Sequence, residues 1–278
     1  MTSASQPFPD RYEEIVALYE ENAIPLAQGW LGFAMDYLLF SICAGLAAYV
    51  QTLTGFAFAL VLLGLTASLQ LGPVGCSADA ASLLVLLNVA AYFWFHPLTP
   101  EWRRVLPALP SSAIGVAAGL VLLHWLSAQA GRQLAAALGV TIMVCAGLMC
   151  LPRQAQATPS GRWSYAVAGG FSGLLGGLFS AAGPPLVFHM YRQPLSTQVV
   201  QQGLMVATAF NSALRLVMVA GSGQLSADAL WLGLAAAPMV LIVHALHRRF
   251  PLRLNSQHVR RLAALLLGGA GLLLALHA

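Results

Sequence analysis

Long apolar segments with very few charges dominate this chain. A helix of about 20 residues crosses the roughly 30 Å hydrocarbon core of a bilayer. Full-length apolar runs cover residues 78–96, 104–125, 132–151, 197–220, 229–247 and 257–277, and shorter ones cover 31–50, 54–71, 163–179 and 184–192. Only 8% of the residues are charged and 59% are hydrophobic, which excludes an ordinary soluble domain. Because the runs are continuous rather than alternating, the sequence predicts an all-α polytopic membrane protein.

The two halves of the chain resemble each other. Each half has a broken pair of short segments followed by three full spans, and Gly45 and Gly173 each precede a second glycine, Gly55 or Gly183, by ten residues. Three spans per half is an odd number, so the halves would have inverted orientations. We therefore expect two inverted repeats, each made of a broken-helix re-entrant hairpin plus three transmembrane helices, an architecture typical of secondary transporters with alternating access.

This interpretation divides the chain into four parts. Residues 1–29 form an acidic N-terminal segment, in which Tyr12, Ile15, Val16 and Tyr19 have the spacing of a short amphipathic helix. Residues 30–151 form the first membrane repeat, 152–162 a cytoplasmic linker, and 163–278 the second membrane repeat.

Arginine predicts the orientation in the membrane, since cytoplasmic loops collect basic residues. All thirteen basic residues are Arg. With two re-entrant hairpins, Arg11 and Arg132 fall on one side, Arg215 lies within a span, and ten fall on the other side: Arg103, Arg104, Arg153, Arg162, Arg192, Arg248, Arg249, Arg253, Arg260 and Arg261. We assign the side with ten to the cytoplasm, which makes both termini external.

Three short motifs resemble helix starts. Ser77-Ala-Asp79, Thr99-Pro100-Glu101 and Ser226-Ala-Asp228 each place a hydroxyl and an acid together. A hydroxyl caps a helix N-terminus and an acid complements its dipole. We therefore interpret these acids as structural rather than catalytic.

The two breaks carry the groups that a small oxyanion needs. Helix N-termini offer free N–H groups and positive potential. Glycine would let the backbone approach a ligand, and hydroxyls would add donors. The candidate substrate-binding residues at the breaks are Thr52, Thr54, Gly55, Ser180, Gly183 and Pro184. The alternative is that these glycines only allow tight helix packing.

A polar stripe follows the second break. Gln201, Thr208, Asn211 and Arg215 share one helix face, and Asn88 occupies a place in the first half similar to that of Asn211. An ionisable residue inside a span is a functional candidate, and a guanidinium can bind two sulfonate oxygens. The alternative for Arg215 is that it snorkels to the interface.

Histidines offer two further hypotheses. His189 could exchange a proton during transport, or it could be a packed, hydrogen-bonded residue. His244 and His247 are one turn apart, but no carboxylate or cysteine completes a metal site beside them, so we expect no metal. The sequence also contains no nucleotide-binding loop and no cofactor motif, which predicts a protein that is not an enzyme and is driven by gradients.

One stretch resembles a known family. Gly169 to Phe188, GGFSGLLGGLFSAAGPPLVF, with His189-Met-Tyr-Arg192 after it, resembles the second signature of the sulfite exporter TauE/SafE family, also called the toluene-sulfonate uptake permease family. Gly45 to Gly64, with Thr54-Gly55-Phe56, resembles the first signature, and the similarity covers about residues 33–277. Many relatives carry an Arg early in the next helix, where this chain has Gln201 and Gln202.

The resemblance implies a multi-pass carrier in the bacterial inner membrane. Its substrate would be sulfite or an organosulfonate such as sulfoacetate, exported from a site between the hairpin tips near the bilayer midplane. The expected partners are this anion, the lipid bilayer, a coupling proton or sodium ion and further copies of the chain, with no nucleic acid. The alternatives are a carrier of another organic anion on the same scaffold, a membrane-embedded enzyme, and a non-transporting sensor.

Overall fold

The regular structure is entirely helical wherever the chain is described. The computed structural model describes residues 34–129, 138–144, 146–147, 158–180, 184–249, 268–269 and 271. The chain divides between Leu39 and Phe40, and the packing below is that within Phe40–Ala278. The helices are α1 Ala34–Thr54, α2 Phe58–Ser68, α3 Val74–Phe95, a 3₁₀ helix Pro100–Ala108, α4 Leu109–Gln129, α5 within 138–147, α6 Arg162–Phe179, α7 Pro184–Arg192, α8 Thr197–Gly221 and α9 Ala227–Arg249.

Five of the described helical stretches are long and apolar enough to cross a membrane. They are Ala34–Thr54, Val74–Phe95, Pro100–Trp125, Thr197–Gly221 and Ala227–Arg249. Their outer faces carry large apolar side chains, such as Ile114, Val121 and Val217, which are 74%, 72% and 68% exposed. Apolar outer faces on such helices belong against lipid rather than water. The prediction of an all-helical multi-pass membrane protein is confirmed.

Several boundaries differ from those expected. Helix α7 matches residues 184–192, but α3 begins at Val74, four residues before the predicted start. The first break also lies later than 51–54, because α1 continues to Thr54. The N-terminal segment 1–29 and the last predicted span, 257–277, lie almost wholly outside the described residues, so their helices stay predictions.

Helices α3 and α9 run in the same direction, and α8 runs against them. At their starts, the Ser226 hydroxyl donates to Cys76 Sγ at 3.8 Å. At their ends, the Arg248 guanidinium lies 5.1 Å above the centre of the Phe95 ring. The start of α8 meets the loop after α3, where Gln202 Oε1 accepts a hydrogen bond from the Thr99 hydroxyl at 2.7 Å.

Helix α1 runs with α9. The Ser41 hydroxyl donates to Ala235 O at 3.5 Å, and two turns later the rings of Tyr49 and His247 lie 5.9 Å apart. Helix α2 follows a break and returns toward the start of α3. The first broken pair therefore leads back toward the end of the bundle where α3 and α9 begin.

The second broken pair opens toward the other end. Gln193, just after α7, donates through Nε2 to the Ser160 hydroxyl and accepts from Ser160 N, both at 2.9 Å. The start of α6 and the end of α7 are thus joined. The arginines at this end of the bundle, which we call the arginine end, are Arg103, Arg104, Arg162, Arg192, Arg248 and Arg249. Of the ten arginines predicted to share one side, the other four lie outside the described residues.

Helices α4 and α6 meet backbone to backbone along five glycines, which we call the glycine seam: Gly115, Gly119, Gly169, Gly173 and Gly177. A Cβ at any of them would overlap backbone atoms of the facing helix segment. Small residues every fourth position allow such contact between membrane helices. Gly173, which the sequence pairs with Gly183 only by spacing, lies in this seam against the backbone of Ser112.

Of the three motifs predicted to start helices, the structure confirms the capping role of one hydroxyl only. Ser226 caps α9, since its hydroxyl accepts from Ala229 N at 3.2 Å and Asp228 lies in the first turn. Pro100 opens the 3₁₀ helix as expected, but the Thr99 hydroxyl bonds to Gln202 and does not cap it. The capping role predicted for Ser77-Ala-Asp79 is wrong, because α3 already begins at Val74.

Candidate substrate site

A buried polar network lies where α6 ends. The Arg215 guanidinium of α8 donates through one terminal nitrogen to the Asp79 carboxylate and, at 3.3 Å, to the Ser82 hydroxyl, both on α3. Its Nε donates to Gly177 O at 3.1 Å. Arg215 is only 1% exposed and Asp79 7%. One cation and one anion are therefore held together inside a membrane bundle, where charges are rare and mark functional sites.

Asp79 is the principal residue of this network that the sequence interpretation missed. It is the sixth residue of α3, beyond the first turn, and so its carboxylate is not at the helix N-terminus. One signal in the sequence could have found it, since Asp79 and Arg215 are opposite charges inside two apolar spans. Charges inside spans pair with one another because an isolated one is expensive in hydrocarbon.

Arg215 does not snorkel. Its side chain turns toward the end of α6, where the last carbonyl groups have no partner within their own helix. The bond from Nε to Gly177 O satisfies one of these carbonyls, and a cation near a helix C-terminus is also favoured by the helix dipole. Arg215 thus holds the tip of the second broken pair.

Ser180 forms this tip. It follows α6 in the left-handed conformation, with φ 55°, and is 1% exposed. Its hydroxyl lies 2.7 Å from the Ser82 hydroxyl and 3.5 Å from the Ser212 hydroxyl. Ser180 is therefore linked to Arg215 through Ser82, and its role in substrate binding stays a prediction.

The remaining predicted residues of this tip are Gly183 and Pro184. Gly183 lies outside the described residues, and Pro184 is the buried first residue of α7. Proline has no N–H group, so neither Pro184 nor Pro185 can donate to an anion. The first backbone donor of α7 is consequently Leu186.

Asn211 lies one turn before Arg215 on the same face of α8. Its Oδ1 accepts from the Ser112 hydroxyl of α4 at 2.6 Å. Its Nδ2 is buried and has no hydrogen-bond partner, and a Cβ at Gly176 would lie 3.3 Å from it. A buried amide donor without a partner is costly, which makes it a natural contact for a ligand or an ordered water.

The first break offers fewer donors than predicted. The hydroxyls of Thr52 and Thr54 donate to Ala48 O and Val50 O, each at 2.8 Å, within their own helix. These bonds satisfy both hydroxyls inside the apolar helix, which continues to Thr54. Thr208 donates to Leu204 O in the same way. None of the three hydroxyl protons is presented to a ligand in this structure.

Gly55 approaches protein rather than an open site. It has φ 87°, and a Cβ there would lie 2.7 Å from Gln201 O and 2.8 Å from Gln201 Cα. The Gln201 side chain in turn donates from Nε2 to Leu53 O. Gly55 and Gln201 thus dock the first tip onto α8.

Asn88 belongs to a different cluster from Asn211. Its Nδ2 donates to Gln51 Oε1 at 3.0 Å, and its Oδ1 lies 2.8 Å from His244 Nε2. Gln51 Nε2 is a second buried donor without a partner. His244 bonds to Asn88, and within the described residues no group of three or more His, Cys, Asp or Glu side chains could hold a metal ion.

His189 lies at the arginine end. Its Nδ1 is 3.4 Å from the Ser164 hydroxyl, and its ring centre is 4.4 Å from that of Tyr165 in an edge-to-face arrangement. Tyr165 and Ser180 are fifteen residues apart along α6, or about 22 Å. The structure therefore brings Ser180, Asn211 and Arg215 together and leaves His189 away from them.

Comparison with known proteins adds the family. The family model for the sulfite exporter TauE/SafE matches residues 40–274. A protein of Cupriavidus necator named probable sulfite/organosulfonate exporter TauE is 34% identical over 227 residues, which cover 82% of this chain and 89% of that protein. A protein of Comamonas testosteroni named probable inner membrane transporter protein TsaS is 26% identical over 221 residues, covering 74% and 90%. No solved structure matches the chain.

Proposed function

The chain belongs to the sulfite exporter TauE/SafE family of membrane transporters, and from this premise we propose that it exports a small sulfur-containing anion. Sulfite and organosulfonates of the sulfoacetate kind are the proposed substrates. The relative of 34% identity is named as an exporter of sulfite and organosulfonates, which supports this choice.

The observation that carries the proposal is the buried cation at the second tip. Arg215 is linked through Ser82 to Ser180, and Asn211 presents an unpartnered donor one turn away. A guanidinium has only hydrogen-bond donors, and a hydroxyl and a side-chain amide can each donate a hydrogen bond. Together they can donate to the three oxygens of a sulfonate. In our proposal these three side chains bind the anion.

The proposed scaffold consists of two inverted repeats, 30–151 and 163–278, joined by the linker 152–162. Support comes from the two broken pairs, which lead toward opposite ends of the bundle. We place the arginine end in the cytoplasm and both termini outside, with the protein in the bacterial inner membrane. Exchange of the site between the two sides would proceed by alternating access.

Transport by the purified protein in liposomes tests the proposal. Ethanesulfonate is a suitable probe, since its sulfonate keeps one negative charge at every pH of interest, and sulfite, sulfoacetate, taurine, thiosulfate and simple carboxylates complete the panel. We expect saturable flux of sulfur oxyanions without ATP, with one substrate competing against another. Flux of carboxylates alone would instead favour the alternative of another organic anion.

Two variants separate the site from general basicity. Arg215→Gln together with Asp79→Asn removes both buried charges without leaving one unpaired, and it should abolish ethanesulfonate binding while the protein still unfolds cooperatively. Arg162→Gln removes an exposed arginine at the start of α6 and should leave flux unchanged. Equal flux in both variants would contradict the proposed site.

A further inference from the structure

Asp79 and Arg215 raise a question of charge. Together they are neutral, and an anion that binds Arg215 while Asp79 stays ionised would leave a net negative charge in a buried site. Arginine does not lose its proton in proteins. The only member of the pair that can restore neutrality is therefore Asp79, by taking up a proton.

Building on the proposed function, we propose that Asp79 is the proton-binding group that couples anion transport to proton movement. In the empty site its carboxylate is paired with the guanidinium of Arg215. When the substrate anion takes that place, one Asp79 oxygen binds a proton delivered by hydronium or buffer acid of the adjoining aqueous phase, and the neutral acid stays in the site. One monoanion and one proton then load and leave together.

The geometry gives Asp79 access to that proton. Asp79 keeps 10% of its side-chain surface exposed, whereas Arg215 keeps 1%. It lies about 8 Å from the start of α3, on the side opposite the arginine end. The carboxylate is thus the less enclosed member of the pair, while the guanidinium is closed in by Gly177 and Ser82.

Among the described residues, few other ionisable groups lie near Asp79 to take its role. His124 of α4 is at the same end of the bundle, where its Nδ1 lies 3.3 Å from Gln224 Nε2 beyond the end of α8. Helix α8 contributes Arg215, and α3 itself contributes Cys76, whose neighbour from α9 is the exposed Asp228. Helix α2 has no ionisable side chain. Those of α6, Arg162 and Tyr165, lie at its other end. The remaining ones of α9 also lie at the arginine end, where Tyr49 of α1 packs on His247.

A purely structural ion pair would behave differently. It would hold α3 to α8 and to the second tip whatever the substrate, and its removal would change stability without changing how anion binding depends on pH. A coupling role instead makes binding depend on proton concentration. The two roles are separated by the pH dependence and by the proton count, which stability alone does not report.

The test measures ethanesulfonate affinity from mildly acidic to mildly alkaline pH, and the internal pH of liposomes during ethanesulfonate influx. Uptake of one proton per anion should tighten binding by about tenfold for each unit by which the pH falls, as long as Asp79 is ionised in the empty site. Influx should acidify the interior. Asp79→Asn should bind at every pH with no slope and should transport without acidification, whereas the matched control Asp228→Asn should keep both.

A measurement on the unaltered protein covers the case in which Asp79→Asn does not fold. Infrared difference spectra should show a protonated carboxyl band that appears when ethanesulfonate is added. Influx without acidification, pH-independent affinity, or absence of this band would overturn the inference and leave the proposed function standing. Absence of binding and flux for every sulfur oxyanion in the panel would overturn the proposed function, and this inference with it.

Discussion

Replacing Gly55 by alanine tests how tightly the first tip is docked on α8. The residue has φ 87°, where an L side chain is strained by about 1–2 kcal/mol. The new Cβ would also meet Gln201 O at 2.7 Å and Gln201 Cα at 2.8 Å. Both are backbone atoms of a long helix, so they cannot rotate away as a side chain could. Overpacking of this kind typically adds about 1–3 kcal/mol.

Gly223 provides a matched control. It follows α8 with φ 68°, and a Cβ there would have nothing within 4 Å. Gly223→Ala should therefore lower the free energy of unfolding by the backbone term alone, about 1–2 kcal/mol. Gly55→Ala should lower it by about 2–5 kcal/mol, because the clash is added.

Denaturant unfolding of both variants in detergent micelles, followed by circular dichroism, measures the difference. Gly55→Ala should also slow ethanesulfonate transport, since displacement of the tip would break the bond from Gln201 to Leu53 O. Equal destabilisation by the two substitutions would refute the close approach of the tip to α8.

Three further outcomes are expected. Asn211→Ala should weaken ethanesulfonate binding by about ten- to a hundredfold, as loss of one hydrogen bond to a charged ligand does, and titration of the purified protein would show whether affinity instead stays at the wild-type value. Gln202→Leu should lower the free energy of unfolding by about 1–3 kcal/mol because it leaves Thr99 N without its acceptor; unchanged denaturant unfolding would argue against a stabilising role of the bond between Gln202 and Thr99. In a cysteine-free background, Thr158→Cys and Gln224→Cys should react with a membrane-impermeant reagent from opposite sides, and labelling of both from one side would exclude the predicted orientation.

Apolar run length was enough to predict the helical membrane fold and most segment positions. The second break was located well because Pro184 and Pro185 cannot continue α6. The first break was misplaced, because polar residues were expected to end α1. The hydroxyls of Thr52 and Thr54 bond within the helix instead, and the chain leaves it at Gly55.

The site was only partly predictable. The polar face of α8 led to Asn211 and Arg215 as candidates, and the structure places both buried in that helix, one turn apart; their binding of a substrate stays a prediction. Asp79 was assigned to a helix end because its motif resembles a cap, and local sequence does not reveal that α3 and α8 place it against Arg215. The hydrogen bonds of Gln201 and Gln202 could not be predicted either, since both side chains bond to chain segments that are distant in sequence.

The glycine seam constrains how the second tip can be displaced. Only the glycine hydrogen atoms separate the two backbones. If α4 slid along α6 by one residue, a larger side chain would enter the seam, where there is no room for it. The two helices must therefore travel as a single rigid element. Any rearrangement that carries Ser180 from one side of the membrane toward the other would move α4 as well. Ser112 lies on α4, so its hydrogen bond to Asn211 would be displaced by the same movement.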